Sequence, residues 1–189
     1  MKKNKIIISV IVSLIIFVST FFTVKASFPE KYYSLSSFFI LIFALPSFYF
    51  FLKCIGFRKG FFVLLILGLF AFIVELLAVK TGFPYGSFLY TEKVGYKIFD
   101  LVPWTVPFAW TPLLLGAFVF SSRITYGKGK VICLSTLLLL LTDIVLDPGA
   151  VHLGFWRYSN QGEFYGVPIS NFIGWIMSGF FGSLILYSL

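Results

Sequence analysis

Residues 60–79 read GFFVLLILGLFAFIVELLAV, aliphatic and aromatic throughout except for one ionisable side chain, Glu75. A helix of this length rises about 30 Å, the thickness of a bilayer's hydrocarbon core. Comparable runs stand at 6–24, 36–52, 106–122, 131–147 and 168–188. The expected fold is therefore an all-α membrane protein, a polytopic bundle of about six transmembrane helices.

Composition agrees. Of 189 residues, 59% are hydrophobic and 12% charged, and the mean hydropathy is +0.99. A water-soluble domain of this length needs far more charge to cover its surface. No soluble stretch is long enough for a second domain, so 1–189 reads as a single integral membrane domain. Within it, 1–59 supplies two supporting helices, 60–122 a first unit and 130–189 a second. The net charge of +8 does not point to nucleic acid, because the basic residues are scattered in short loops between apolar runs.

Those loops orient the chain. With the N-terminus in the cytoplasm, Lys2, Lys3, Lys5, Lys53, Arg58, Lys59, Arg123, Lys128 and Lys130 lie inside, nine of the fifteen basic residues. The expected placement is a multi-pass protein of the cell membrane with both termini inside. The first run is longer than the apolar part of a typical signal peptide and reads as an uncleaved anchor. Cys54, Cys133 and the single histidine, His152, show no metal-ligand or disulfide spacing.

The two outer connections, 80–105 and 148–167, are rich in Gly, Pro, Tyr, Phe and Trp, which suits compact structure folded against the mouth of the bundle. They also repeat. Glu75, Gly86 and Tyr90 recur at the same spacing as Asp143, Gly154 and Tyr158. Each set is followed by Val-Pro (Val102-Pro103, Val167-Pro168), and each proline by a Trp seven residues on (Trp110, Trp175). The third and fourth spans are thus expected to repeat as the fifth and sixth, about an axis along the membrane normal. Glu75 and Asp143 would then face each other near that axis, four or five residues from the outer ends of their helices, hence ~6–8 Å deep.

Ionisable residues inside spans cost ~2.5–3.5 kcal/mol for Asp at the centre on insertion scales, and they are functional by default. Glu75 shares a stripe of small residues with Gly68 and Ala71, Asp143 a polar face with Thr136 and Asp147, and Asn171 a face with Gly174, Ser178 and Gly182. The bland reading has Glu75 and Asp143 bonded to neighbouring hydroxyls or to Arg157, and Asp147-Pro148 marking a helix end. The chemical reading is an apolar cavity in which buried carboxyls protonate a lipidic alkene beside aromatic walls, and water captures the tertiary carbocation.

GFPYGSFLY, PFAW, DIVLDP and FYGVPISNFIGW together resemble the integral-membrane carotenoid hydratase family, over roughly residues 70–178. The resemblance implies water addition to a terminal C=C bond of an acyclic carotenoid end group (lycopene-, γ-carotene- or bisanhydrobacterioruberin-type), giving a tertiary alcohol with no redox cofactor or metal. The chain departs from the family pattern in one respect: members usually carry further C-terminal hydrophobic sequence, whereas this sequence stops at Leu189. Their expected burial inside the spans, independently of the resemblance, makes Glu75, Asp143 and Asp147 the acid/base candidates, and Tyr85, Tyr90, Trp110, Trp156, Arg157, Tyr158, Asn171 and Trp175 are the candidate substrate-binding residues. Membrane lipids, the carotenoid and other enzymes of the same biosynthesis are the expected partners. Rival readings are an acid-catalysed carotenoid cyclase, a membrane prenyltransferase suggested by Asp143 and Asp147, and a non-enzymatic lipid or pigment carrier or transporter.

Overall fold

The computed structural model describes residues 34–189. The expected span 6–24, with Lys2, Lys3, Lys5 and Glu30, lies outside the described residues. The described chain is mostly helical: α1 (Ser34–Ile55), α2 (Phe57–Thr81), α3 (Val106–Ile124), α4 (Lys128–Leu153) and α5 (Ile169–Ser188). Four of these, α1, α2, α4 and α5, are long and apolar enough to cross a membrane. The fourth expected span forms a helix, α3, but is not among the four. Its 19 residues include Pro107 and Pro112, and Ser121, Ser122 and Arg123 precede its last residue, Ile124, which shortens the apolar run.

Packing reverses the rule for soluble proteins. Ile73 and Val145 are 60% and 75% exposed, whereas Asp143 is wholly buried, as lipid-facing helices with a polar interior require. Helix α4 packs along α5, α3 against α2 and α4, and α1 against α3 and α2. One core gathers Val63, Leu67, Ala71, Trp110, Leu114, Leu115 and Leu139. Small residues let the helices approach: Gly182 of α5 lies so close to the Trp110 ring that a Cβ there has no room. A second core, of Ala78, Tyr85, Phe88, Tyr158 and Val167, sits at the end of the bundle where α2 and α4 finish.

The two long connections, 80–105 and 148–167, depart from an all-α fold. Strand β1 (Phe88–Tyr90) comes from the first and β4 (Trp156–Tyr158) from the second, and they pair antiparallel with Leu89 opposite Arg157. A smaller hairpin joins β2 (Lys97–Ile98) to β3 (Val102–Pro103). Backbone N–H and C=O groups folded onto an apolar surface need partners. Each connection finds them in the other, so the two form one lid of structure rather than two loops.

Helix α4 also corrects the sequence reading. It does not stop at Asp147 but runs through Pro148 to Leu153, placing Asp147 and His152 inside the helix. The extra turn is held from outside. Lys93 Nζ donates to the Leu153 carbonyl at 2.8 Å and Thr91 Oγ1 to that of Gly154 at 2.7 Å, satisfying carbonyls that a helix end leaves free. Gly154 closes the turn at φ 70°, a left-handed conformation open to glycine without penalty. Helix α2 ends instead at Gly82. Glu75 is consequently six residues from its helix end and Asp143 ten, so the two are not at matching depth below their helix ends.

The close approach at Gly182 gives a stability test. Gly182→Val drives a branched side chain into the Trp110 ring and should destabilise the detergent-solubilised protein by about 1–3 kcal/mol. Gly116→Val, at a site with no atom within 4 Å of a new Cβ, should unfold near the wild-type temperature.

Candidate active site

Glu75 lies on α2, Asp143 and Asp147 on α4, and every one turns into the bundle. On α4 the buried positions Ser135, Thr136, Leu139, Asp143 and Asp147 recur at helical spacing. Each carboxylate has a specific donor. The Tyr90 hydroxyl donates to Glu75 Oε1. The Tyr158 hydroxyl donates to Asp147 Oδ2 at 2.7 Å, and Asn171 Nδ2 to Asp143 Oδ2 at 2.8 Å. The Trp156 indole also lies within hydrogen-bonding reach of Asp147. Asp143 Oδ1 is buried and has no partner among the described residues.

The strand pair aims the two tyrosines. Side chains alternate along a strand, and here Phe88 and Tyr158 are buried while Leu89 and Arg157 are exposed. Phe88 packs on Tyr158 with ring centroids 5.6 Å apart, and Tyr90 on Trp156 edge to face at 5.8 Å. Tyr85 enters from the turn after α2. Its ring lies against Gly174 of α5, where a side chain would collide with it. Ser170 Oγ donates to its carbonyl at 3.3 Å, and its ring centroid is 6.4 Å from that of Trp175.

The three phenols lie outside the spans, and all are held above their ordinary pKa. Burial is the main cause for each. For Tyr85 the charge of Glu75 comes next, the Ser178 hydroxyl opposes, and Asp143 and Asp147 add smaller pushes. For Tyr158 the neighbouring Asp147 follows burial, with Asp143 and Glu75 behind it. The phenols thus remain protonated donors at neutral pH. That Tyr85 and Tyr158 feel all three carboxylates also places the three in one electrostatic neighbourhood.

Of the residues expected from the sequence, the structure brings together Glu75, Asp143, Asp147, Tyr85, Tyr90, Trp156, Tyr158, Asn171 and Trp175. It does not bring in Trp110, which packs in the other core against Phe70 and Gly182. Nor does it bring in Arg157, which alternation turns outward. The bland pairing with Arg157 is absent: Glu75 takes a hydroxyl and Asp143 an amide. Ser178, expected on the Asn171 face, is buried there; Phe88 was missed, and the period-two pattern of FLY and WRY was the available signal for it. Among the described residues no group of three or more His, Cys, Asp and Glu is placed to hold a metal ion. A cleft of about 620 Å³ at the other end of the bundle is lined by Phe51, Lys59, Val63, Leu115 and Arg123, among others, and by none of the carboxylates.

The family described as carotenoid biosynthesis protein matches residues 34–189. The chain belongs to that family. The bisanhydrobacterioruberin hydratase of Haloarcula japonica is 40% identical over 126 residues, covering 65% of this chain and 43% of that protein. The chain thus spans less than half the length of this relative. No solved structure matches it. In this carotenoid biosynthesis family member the matched region includes every carboxylate, tyrosine and amide described above.

The tyrosine–aspartate contact is directly measurable. Tyr158→Phe leaves Asp147 Oδ2 without its phenol and should lower stability by about 1–3 kcal/mol, read as a drop in unfolding temperature in detergent. Arg157→Ala, on the outward face of the same strand, should stay within about 0.5 kcal/mol of wild type.

Proposed function

We propose that the protein hydrates a terminal C=C bond of an acyclic carotenoid end group, of the lycopene, γ-carotene or bisanhydrobacterioruberin type, by acid catalysis to a tertiary alcohol. The observation that carries this reading is the group of three carboxylates, Asp143 and Asp147 buried and Glu75 half-buried, under an aromatic lid at one end of an apolar bundle. Family membership and the printed activity of the Haloarcula japonica relative support it. A hydrocarbon substrate reaches such a site from the membrane, and a carboxyl group supplies the proton that starts the reaction. The tertiary cation is stabilised by carboxylate charge and by aromatic faces, here Tyr85, Tyr90 and Trp156. Water then closes the reaction, with Glu75, Asp143 and Asp147 as the acid and base groups. Trp175 and Asn171 complete the wall.

The same reading orients the molecule. Lys53, Arg58, Lys59, Arg123, Lys128 and Lys130 sit at the end away from the strand pair, which favours a cytoplasmic basic end in the cell membrane and an outward site. Six spans follow if 6–24 and α3 both cross. Duplication of the α2–α3 and α4–α5 units is supported by the strand register. Leu89 and Arg157, which face each other at the centre of the pair, are separated by the same 68 positions as Glu75 and Asp143. A two-fold axis through that pair exchanges Tyr90 with Tyr158.

Expression in a bacterium that accumulates lycopene or bisanhydrobacterioruberin should yield more polar pigments, heavier by one water per modified end. Unchanged pigment beside abundant membrane-inserted protein would refute hydration, and a ring-containing pigment of unchanged mass would identify a cyclase instead.

A further inference from the structure

Resting on the hydration reading, we propose that Asp143 alone delivers the proton, and that Glu75 and Asp147 serve as tyrosine-held carboxylates, Asp147 accepting the proton that water releases. Asp143 is the odd member of the trio. Glu75 and Asp147 each accept a phenol hydrogen bond, an interaction that favours the anion and leaves it a proton acceptor. Asp143 takes its one bond from the Asn171 amide, on Oδ2. Its Oδ1 is buried without a partner among the described residues, an arrangement that is costly for a bare carboxylate oxygen. A proton on Oδ1 removes the charge there and supplies an O–H with no protein acceptor to satisfy, free to reach a bound alkene.

A break in the pseudo-symmetry produces this arrangement. Under the 68-residue offset Tyr158 corresponds to Tyr90 and Asp143 to Glu75, so Tyr158 would be expected to bond Asp143. It bonds Asp147 instead, one turn further along α4. Asp143 is thereby left to Asn171, from the first turn of α5. Asn171 is a positioning residue: fixing Oδ2 decides which oxygen carries the proton.

The step balances. The π pair of the C=C bond takes the Asp143 Oδ1 proton to form a C–H bond at the less substituted carbon, leaving the Asp143 carboxylate and a tertiary cation. A water oxygen forms the C–O bond, and its surplus proton passes to Asp147. Asp143 and Asp147 are four residues apart on one helix face, roughly 5–6 Å between Cβ atoms, so return of that proton through water restores the starting state.

The test uses membranes carrying the full chain, supplied with the acyclic carotenoid in D2O. Asp143→Asn should reduce hydrated product about 100-fold or more and leave recovered substrate free of deuterium, because no cation forms. Asp147→Asn should also lose product but wash deuterium into recovered substrate, because the cation forms and reverts. Asn171→Ala should lower kcat by a larger factor than it changes KM for the carotenoid. Hydration by Asp143→Asn within tenfold of wild type, deuterium in its recovered substrate, or an unaltered kcat in Asn171→Ala would each overturn the assignment. A wild-type chain that yields no alcohol overturns the hydration reading itself, and this assignment with it.

Discussion

A carboxylate inside a membrane helix has no water to bond, so the protein must bring a donor to it. That constraint organises the end of this molecule that carries the strand pair. Helices α2 and α4 carry the acids inward, but their neighbours on the same helices are almost all hydrocarbon. The donors have to come from elsewhere in the chain. Tyr90 and Tyr158 arrive on the strand pair and Asn171 on the first turn of α5. The lid is thus part of the interior chemistry rather than a cover laid over it.

The strand pair can perform this task because it is short and buried on one face. Pairing between the two connections satisfies the backbone, and alternation sends Phe88 and Tyr158 down while Leu89 and Arg157 turn outward. Thr91 and Lys93, just beyond β1, then bond the carbonyls at the end of α4. The first connection therefore stabilises the helix turn that places Asp147 under Tyr158. On α5, glycines and serines leave space for Tyr85 and Trp110 where larger residues would fill the interior. The polar site and the apolar core below it share Trp175, which packs against both.

The strand pair and the carboxylate contacts differ in their symmetry. Backbone pairing in the ribbon keeps the 68-residue offset, with Leu89 opposite Arg157. The carboxylate contacts do not, because α4 continues a turn beyond the point at which the corresponding helix α2 stops. Asp143 Oδ1 is buried without a partner among the described residues, and the proposed division of labour among the three acids grows from that asymmetry.

Much of the fold was legible in the chain itself. Twenty-residue apolar runs determine helices in lipid, since no other conformation satisfies every backbone group within the segment. The isolated acids, the small-residue face of α5 and the repeated Gly–Tyr–Val-Pro–Trp order were all visible by spacing. Sequence could not reveal that FLY would pair with WRY, because pairing between distant segments leaves only weak local signs. Nor could it show α4 passing through Pro148, because the bonds that hold that turn come from Thr91 and Lys93, some sixty residues earlier. The residue types were determined locally. Which tyrosine serves which acid, and that Asp143 has an oxygen left over, were decided only by tertiary contacts, because a hydrogen bond depends on where two side chains meet and not on how far apart they stand in the chain.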